Sequence, residues 1–300
     1  MPDHDSTADT DELPVTLTTD DGVALSGQWS TPRRPVTPSM AVIVACGAGI
    51  PARFYARLAR YVAARGAAVL TFDYRGIGAS RNGSLRNLAS GMDDWAVRDL
   101  GAALAEARRS YSGVPLGAIA HSVGTMLLGA ATGASAIARS VFLGPHTGYW
   151  RDYHARWRLP LFVVWHAFMP ALTHTIGYFP GRGLRLGEDL PRGVALDWAR
   201  RRRPALIRTA LDEARFGPYV ERYAAFRAAT LSISISDDAF APPPAAERLL
   251  AMYPALDARR EVVTPGDAGV RKLGHFGFIR RPAGEYFWQR SADWLLSASA

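Results

Sequence analysis

Four short apolar runs limit the fold more than any other feature of the chain. Met40–Cys46, Ala67–Phe72, Pro115–Ala120 and Arg139–Leu143 are too short for core helices, and they lack the apolar/polar alternation of a half-exposed strand. A strand loses that alternation when both its faces are buried, which happens in parallel sheets covered by helices on each side. The segments between them carry helical spacing. Ala52–Arg65 places Phe54, Leu58, Tyr61 and Val62 on one face, and Asp93–Arg109 does the same with Trp95, Val97, Leu100 and Leu104. Ser122–Ala131 is apolar enough to be a buried helix. Strand and helix in turn, wound right-handed, predict an α/β fold with a mostly parallel central sheet and helices on both faces.

The two ends and the middle depart from this rhythm. Pro14–Thr19 and Val23–Ser30 alternate around Asp20-Asp21-Gly22, which predicts an antiparallel hairpin. Alternation stops after Gly144 and resumes with strand Leu231–Ser236, helix Ala245–Met252, strand Arg260–Thr264 and a last helix from Ala283 to Leu296. The expected organisation is a disordered tail over 1–12, a core formed by 13–144 and 230–300, and an α-helical insertion over 145–229. Leu159–Phe179 nearly has the length of a membrane span, but it holds Pro160, Pro170, His166, His174 and Gly177. It reads as a broken helical pair inside a cap, with no transmembrane segment.

Composition narrows the function classes. Lys272 is the only lysine among 35 basic residues, the formal net charge is +8, and the arginines are scattered apart from Arg200–Arg203. No nucleic-acid module and no basic stripe interleaved with aromatics is present, so no nucleic-acid partner is expected and the arginine run reads as a solvated helix end. Peripheral contact with anionic lipid stays open. Cys46 is the single cysteine, and the first twelve residues are acidic and polar rather than an export signal, which together favour a cytoplasmic location. His146, His154, His166 and His174 lie in or near the insertion without zinc spacing and read as packing residues, with a pocket-lining role as the alternative, so neither a metal nor a cofactor is implied.

The chemistry sits at three strand ends. Ala120-His121-Ser122-Val123-Gly124 follows an apolar strand and opens an apolar helix. A turn this tight holds a serine hydroxyl clear of the sheet and needs small residues two places to either side. A serine hydroxyl at neutral pH needs a base, and the base needs an acid to orient it. Asp237 and Asp238 follow the first strand after the insertion, with Asp238 preferred and Asp237 the alternative. His275, between Gly274 and Phe276-Gly277, follows the next. Backbone N–H groups of Val123 and Ala48, the latter in the loop after Met40–Cys46, are the expected oxyanion donors. Cys46 reads as a small buried residue rather than a nucleophile.

At these residues the chain resembles the α/β-hydrolase superfamily. The resemblance rests on Thr71-Phe-Asp-Tyr-Arg-Gly-Ile-Gly-Ala-Ser80, the Ala120–Gly124 elbow, Asp238 before Pro242, and Gly274-His275-Phe276-Gly277. The phrases Gly177-Tyr-Phe-Pro-Gly181 and Leu186-Gly-Glu-Asp-Leu-Pro-Arg-Gly193, with Trp198, resemble bacterial predicted hydrolases related to serine aminopeptidase-like and monoglyceride-lipase-like proteins. Ala120 stands where glycine is usual, and Thr125 where a second glycine is common. The resemblance implies a serine hydrolase, with Ser122, Asp238 and His275 as its triad, but imports no substrate. The triad chemistry suits an ester, thioester or amide carbonyl, and the aromatic-rich insertion suggests a small-molecule, apolar acyl or aromatic substrate. An acyltransferase with the same triad, and a non-catalytic ligand-binding protein on the same fold, are the alternatives.

Overall fold

The computed structural model describes residues 9–33, 37–200 and 219–297. The strands among them are β1 (Thr10–Thr18), β2 (Ala24–Pro32), β3 (Met40–Ala45), β4 (Ala67–Phe72), β5 (Leu116–His121), β6 (Ile137–Leu143), β7 (Ala229–Ile235) and β8 (Ala258–Val263). They form one sheet in the order β1-β2-β4-β3-β5-β6-β7-β8. β1, β2 and β4 pair antiparallel, and every pairing from β4 to β8 is parallel. Every residue of β3, β4 and β5 is buried, as their lack of alternation predicts. Each large aliphatic side chain so buried contributes about 1.5–3 kcal/mol.

The α-helices among the described residues are α1 (Ala56–Ala64), α2 (Leu100–Ser110), α3 (Gly124–Ala130), α4 (Ala155–Val163), α5 (Met169–Ile176), α6 (Arg192–Ala199), α7 (Pro243–Leu250) and α8 (Gly284–Leu296), of which α4 to α6 belong to the insertion. Leu58 and Val62 on α1 enter the core, but Phe54 does not: it is 48% exposed, because the segment starts as a 3-10 turn that rotates it off the helical face.

Two expectations are corrected at the segment level. Residues 10–12, assigned to the tail, belong to β1: they pair with 30–32 of β2, and Asp11 and Glu12 meet Arg33 and Arg60. Charged side chains on an edge strand face solvent without breaking its ladder. The second concerns the proline-containing stretch, which is not a broken pair but one 22-residue helix, Ala155–Ile176. Pro160 lies in the second turn of α4. A π-helical stretch, Val164–Phe168, then resets the bonding pattern, so that Pro170 falls in the first turn of α5, where its missing N–H costs nothing. Gly177, at φ 91°, ends the helix. This helix has the length and apolar composition to cross a membrane. It buries Trp165 and Met169 and exposes Trp157, Leu159, Val163, Val164 and Phe168. Of the arginine run, only Arg200 is among the described residues, bonded to Asp197 after the last turn of α6.

Arg75, from the motif after β4, ties the hairpin to the helix layer. Its Nε donates to Asp99 Oδ1 at 2.7 Å, and its two terminal nitrogens donate to Asp21 at 2.7 and 3.0 Å. Asp99 is fully buried and the Arg75 side chain nearly so. Removing one partner of such a pair leaves a charge without compensation. Arg75→Met should therefore lose about 3–5 kcal/mol in urea unfolding. A change within about 0.5 kcal/mol would mean the pair is structurally idle.

Candidate active site

Ser122 sits at the tip of the β5–α3 turn with φ 56°, a left-handed conformation that only Arg185 shares among the described non-glycine residues. Three constraints hold it there. Its N–H donates to Leu143 O at 2.9 Å, its carbonyl accepts from Thr125, and α3 begins so close to β3 that a Cβ at Gly124 would stand 2.2 Å from Ala45 O. Such strain persists only where surrounding structure enforces it. Gly124→Ala should thus force α3 from the sheet and cost about 1–3 kcal/mol or more, read from the urea midpoint. Ala120 fits, fully buried, where glycine is usual.

The three distant strand ends converge. Ser122 Oγ lies 2.9 Å from His275 Nε2, and His275 Nδ1 lies 2.7 Å from Asp238 Oδ2. The other carboxylate oxygen, Asp238 Oδ1, accepts from the N–H groups of Phe240 and Ala241 at 2.7 and 2.9 Å. Burial pushes the Asp238 carboxyl up, but the His275 bond and these two amides outweigh it, and the group lies below its ordinary range. The anion is fully paired, so Nδ1 of His275 carries the hydrogen and Nε2 is left bare to accept from the serine.

Asp237 does a different job. It accepts from the N–H groups of Leu273 and Gly274 at 3.0 and 2.9 Å, fixing the loop that carries His275. The two neighbouring carboxylates thus hold the two residues before His275 and the His275 side chain.

Gly47 lies against the elbow: a Cβ on it would be 3.3 Å from Ser122 Cβ. Its N–H donates to Tyr55 Oη at 2.9 Å, and a turn closes from Ile50 N–H back to Gly47 O. The next amide, Ala48, and the Val123 amide have no acceptor among the described residues. Cys46 is buried with its thiol near Phe72 O, and burial raises its pKa well above the ordinary value, so no thiolate forms there.

Three residues at the site carry more than their sequence positions announce. Tyr55 Oη, having accepted from Gly47, has one hydrogen to give, and it lies 2.7 Å from His121 Nδ1. His121 therefore holds its hydrogen on Nε2, which faces the carbonyl of His275 at 3.3 Å. Burial first, and the neighbouring His275 next, lower the pKa of His121 well below the usual value and keep it neutral. The third residue, His146, reads from sequence as packing, with a pocket-lining role as the alternative. Its Nε2 stands 2.9 Å from Ser122 Oγ, on the loop just beyond β6. That placement at a strand's carboxyl end was the available signal, since α/β sheets bind ligands at that edge.

The insertion phrase 186–193 also has a definite place. Glu188 N–H donates to Gly49 O at 2.8 Å, its carboxylate accepts from Gly78 N–H at 3.0 Å, and Arg182 and Arg53 pair with it. Asp73, in the motif after β4, accepts from Ala52 and Ala79, and Gly78 approaches it so closely that a Cβ would sit 2.3 Å from the carboxylate. Among the described residues no group of His, Cys, Asp and Glu side chains has the arrangement of a metal site.

An eight-stranded sheet with only its first strands antiparallel, carrying a strained serine at the central strand's tip, defines an α/β-hydrolase. Within that class the chain belongs to the hydrolase family described as serine aminopeptidase, S33, whose model matches residues 37–264. Solved structures share the fold. The Pyrococcus furiosus esterase Pf2001 aligns with TM-score 0.57 and 17% identity over 98% of this chain and 95% of that one. The esterase domain of a Rhodothermus marinus protein gives 0.56 and 14% over 95% and 97%. A putative non-heme bromoperoxidase, BpoC, from Mycobacterium tuberculosis gives 0.56 and 16% over 92% and 97%. No curated protein sequence matches the chain.

Proposed function

We propose that the chain is a carboxylester hydrolase working through an acyl-enzyme on Ser122. The observation that carries this reading is the run of contacts from Ser122 Oγ to His275 Nε2 and from His275 Nδ1 to Asp238, built at a residue held in left-handed backbone. Ser122 Oγ attacks the carbonyl carbon as its proton passes to His275 Nε2. Negative charge moves to the carbonyl oxygen, where the amides of Ala48 and Val123 receive it. The intermediate collapses, and His275 returns the proton to the departing alcohol. Water then gives a proton to His275 and attacks the acyl carbon, and the proton finally reaches Ser122 Oγ as the acid leaves. Asp238 holds the imidazole and offsets its charge without itself taking the proton. A thioester or amide would follow the same steps.

The insertion acts as a cap. Tyr153 donates to Phe240 O beside the site, Trp198 packs edge-on to His146, and Tyr153, Trp165, Met169 and Phe179 form an apolar cluster of their own. An aromatic roof of this kind suits an apolar acyl group. The test is turnover of p-nitrophenyl esters of graded acyl length. We expect hydrolysis with kcat/KM rising from acetyl to longer chains. If ester, thioester and amide substrates all stay intact and a fluorophosphonate fails to label the protein, the reading is wrong. Products formed only with an added alcohol or amine acceptor would move it to acyl transfer.

A further inference from the structure

The geometry points to His146 as a second imidazole acting on the nucleophile, its Nε2–H donating to Ser122 Oγ while His275 receives the serine proton. This inference rests on the acyl-enzyme reading above and adds a residue to it. A hydroxyl has one hydrogen. Ser122 Oγ has ring nitrogens at 2.9 Å on two sides, His275 Nε2 and His146 Nε2. The Asp238 carboxylate at 2.7 Å takes the Nδ1 hydrogen of His275, so His275 Nε2 is bare and accepts from the serine. The second contact then needs its hydrogen on the other partner, and His146 Nε2 supplies it.

The loop around His146 is shaped for this contact. Gly144 has φ 57° and bonds through its N–H to Ile233 O at 2.9 Å, while a Cβ on it would stand 3.4 Å from both Asp238 Oδ2 and His275 Cε1. Gly148 has φ 72°, with the Trp198 ring filling the space beside it. Trp198 meets the His146 ring edge-on at 5.7 Å, and His275 meets it at 5.9 Å. His146 is 3% exposed, so water does not compete for the bond.

The consequence differs between the two halves of the reaction. In the acyl-enzyme, Oγ is an ester oxygen and a poor acceptor. When water attacks and the intermediate collapses, the bond from Oγ to the acyl carbon breaks. Its electron pair stays on Oγ until His275 delivers the proton. A donor on Oγ is strongest at that moment, so it lowers the barrier to deacylation more than it stabilises the ground state. In acylation it also fixes the hydroxyl rotor toward His275, a smaller effect.

The test compares His146→Phe, which keeps a ring and loses the donor, with His146→Gln, which keeps an N–H. We expect His146→Phe to slow kcat about 10- to 100-fold, the range for a hydrogen bond to a charged oxygen. Acylation should fall less, so p-nitrophenyl ester turnover should show a burst of product approaching one per site. His146→Gln should recover most of the rate and suppress the burst. Unchanged kcat in His146→Phe, or equal losses in both variants with matching drops in Tm and no burst, would overturn the inference. A second measurement needs no turnover: the 15N spectrum of the wild type should show His146 Nε2 bonded to hydrogen. A bare Nε2 overturns the inference even if the esterase stands. A protonated Nε2 in a protein inert to every acyl substrate would leave the hydrogen bond standing while the hydrolase mechanism falls.

Discussion

Ser122→Ala should lower ester turnover about 10^6-fold and abolish labelling by a fluorophosphonate, while the protein unfolds within a few degrees of the wild type. The size follows from the site's construction. His275 and Asp238 keep each other in the alanine variant, but they have no oxygen to activate, and the attacking group is then water alone. Residual turnover would come from the oxyanion donors and from binding. Stability is spared because alanine meets the same left-handed backbone demand as serine and loses only the hydroxyl's contacts with His275 and His146. Labelling of the alanine variant at the wild-type rate would place the nucleophile elsewhere.

Asp238→Asn should cost about 10^4-fold in kcat with little change in KM. The amide oxygen of asparagine satisfies the N–H groups of Phe240 and Ala241, so its nitrogen is turned toward His275 Nδ1. A donor there makes Nδ1 the acceptor and sends the ring hydrogen to Nε2, where it blocks the serine proton. The same substitution reports on acid stability. A carboxyl whose folded-state pKa lies below its unfolded value binds fewer protons folded than unfolded. Its stabilisation is complete above the unfolded value, ordinarily near 3.8, and is lost as pH falls through the folded one. The wild type should therefore lose stability below about pH 4, and Asp238→Asn should lose less over that interval. Parallel acid limbs in urea titrations of the two proteins would remove Asp238 from that role.

The sheet was legible because burial on both faces erases alternation. Val42, Ile43 and Val44 leave no polar position to misread, and β4 starts and stops at its expected residues. The meeting of Ser122, His275 and Asp238 was legible from strand ends and chain order. Sequence favoured Asp238 over Asp237 only by its place before Pro242, because adjacent residues at a strand's end differ only in direction; the separate task of Asp237, on the amides of Leu273 and Gly274, left no sequence signal. Nor could sequence give His146 its contact with Ser122, since a histidine in a loop announces no partner until β6 is placed beside β5. The passage of the helix through Pro170 has a physical reason: proline breaks a helix by demanding a partnerless position, and a π-helical stretch just before it supplies a second first turn in mid-helix.

Glu188 joins parts that a reader of the topology would treat as separate. Its backbone grips the loop carrying Ala48 and its carboxylate grips the turn at Gly78. Residues 186–193 therefore cannot shift without loosening both the loop after β3 and the turn at Gly78.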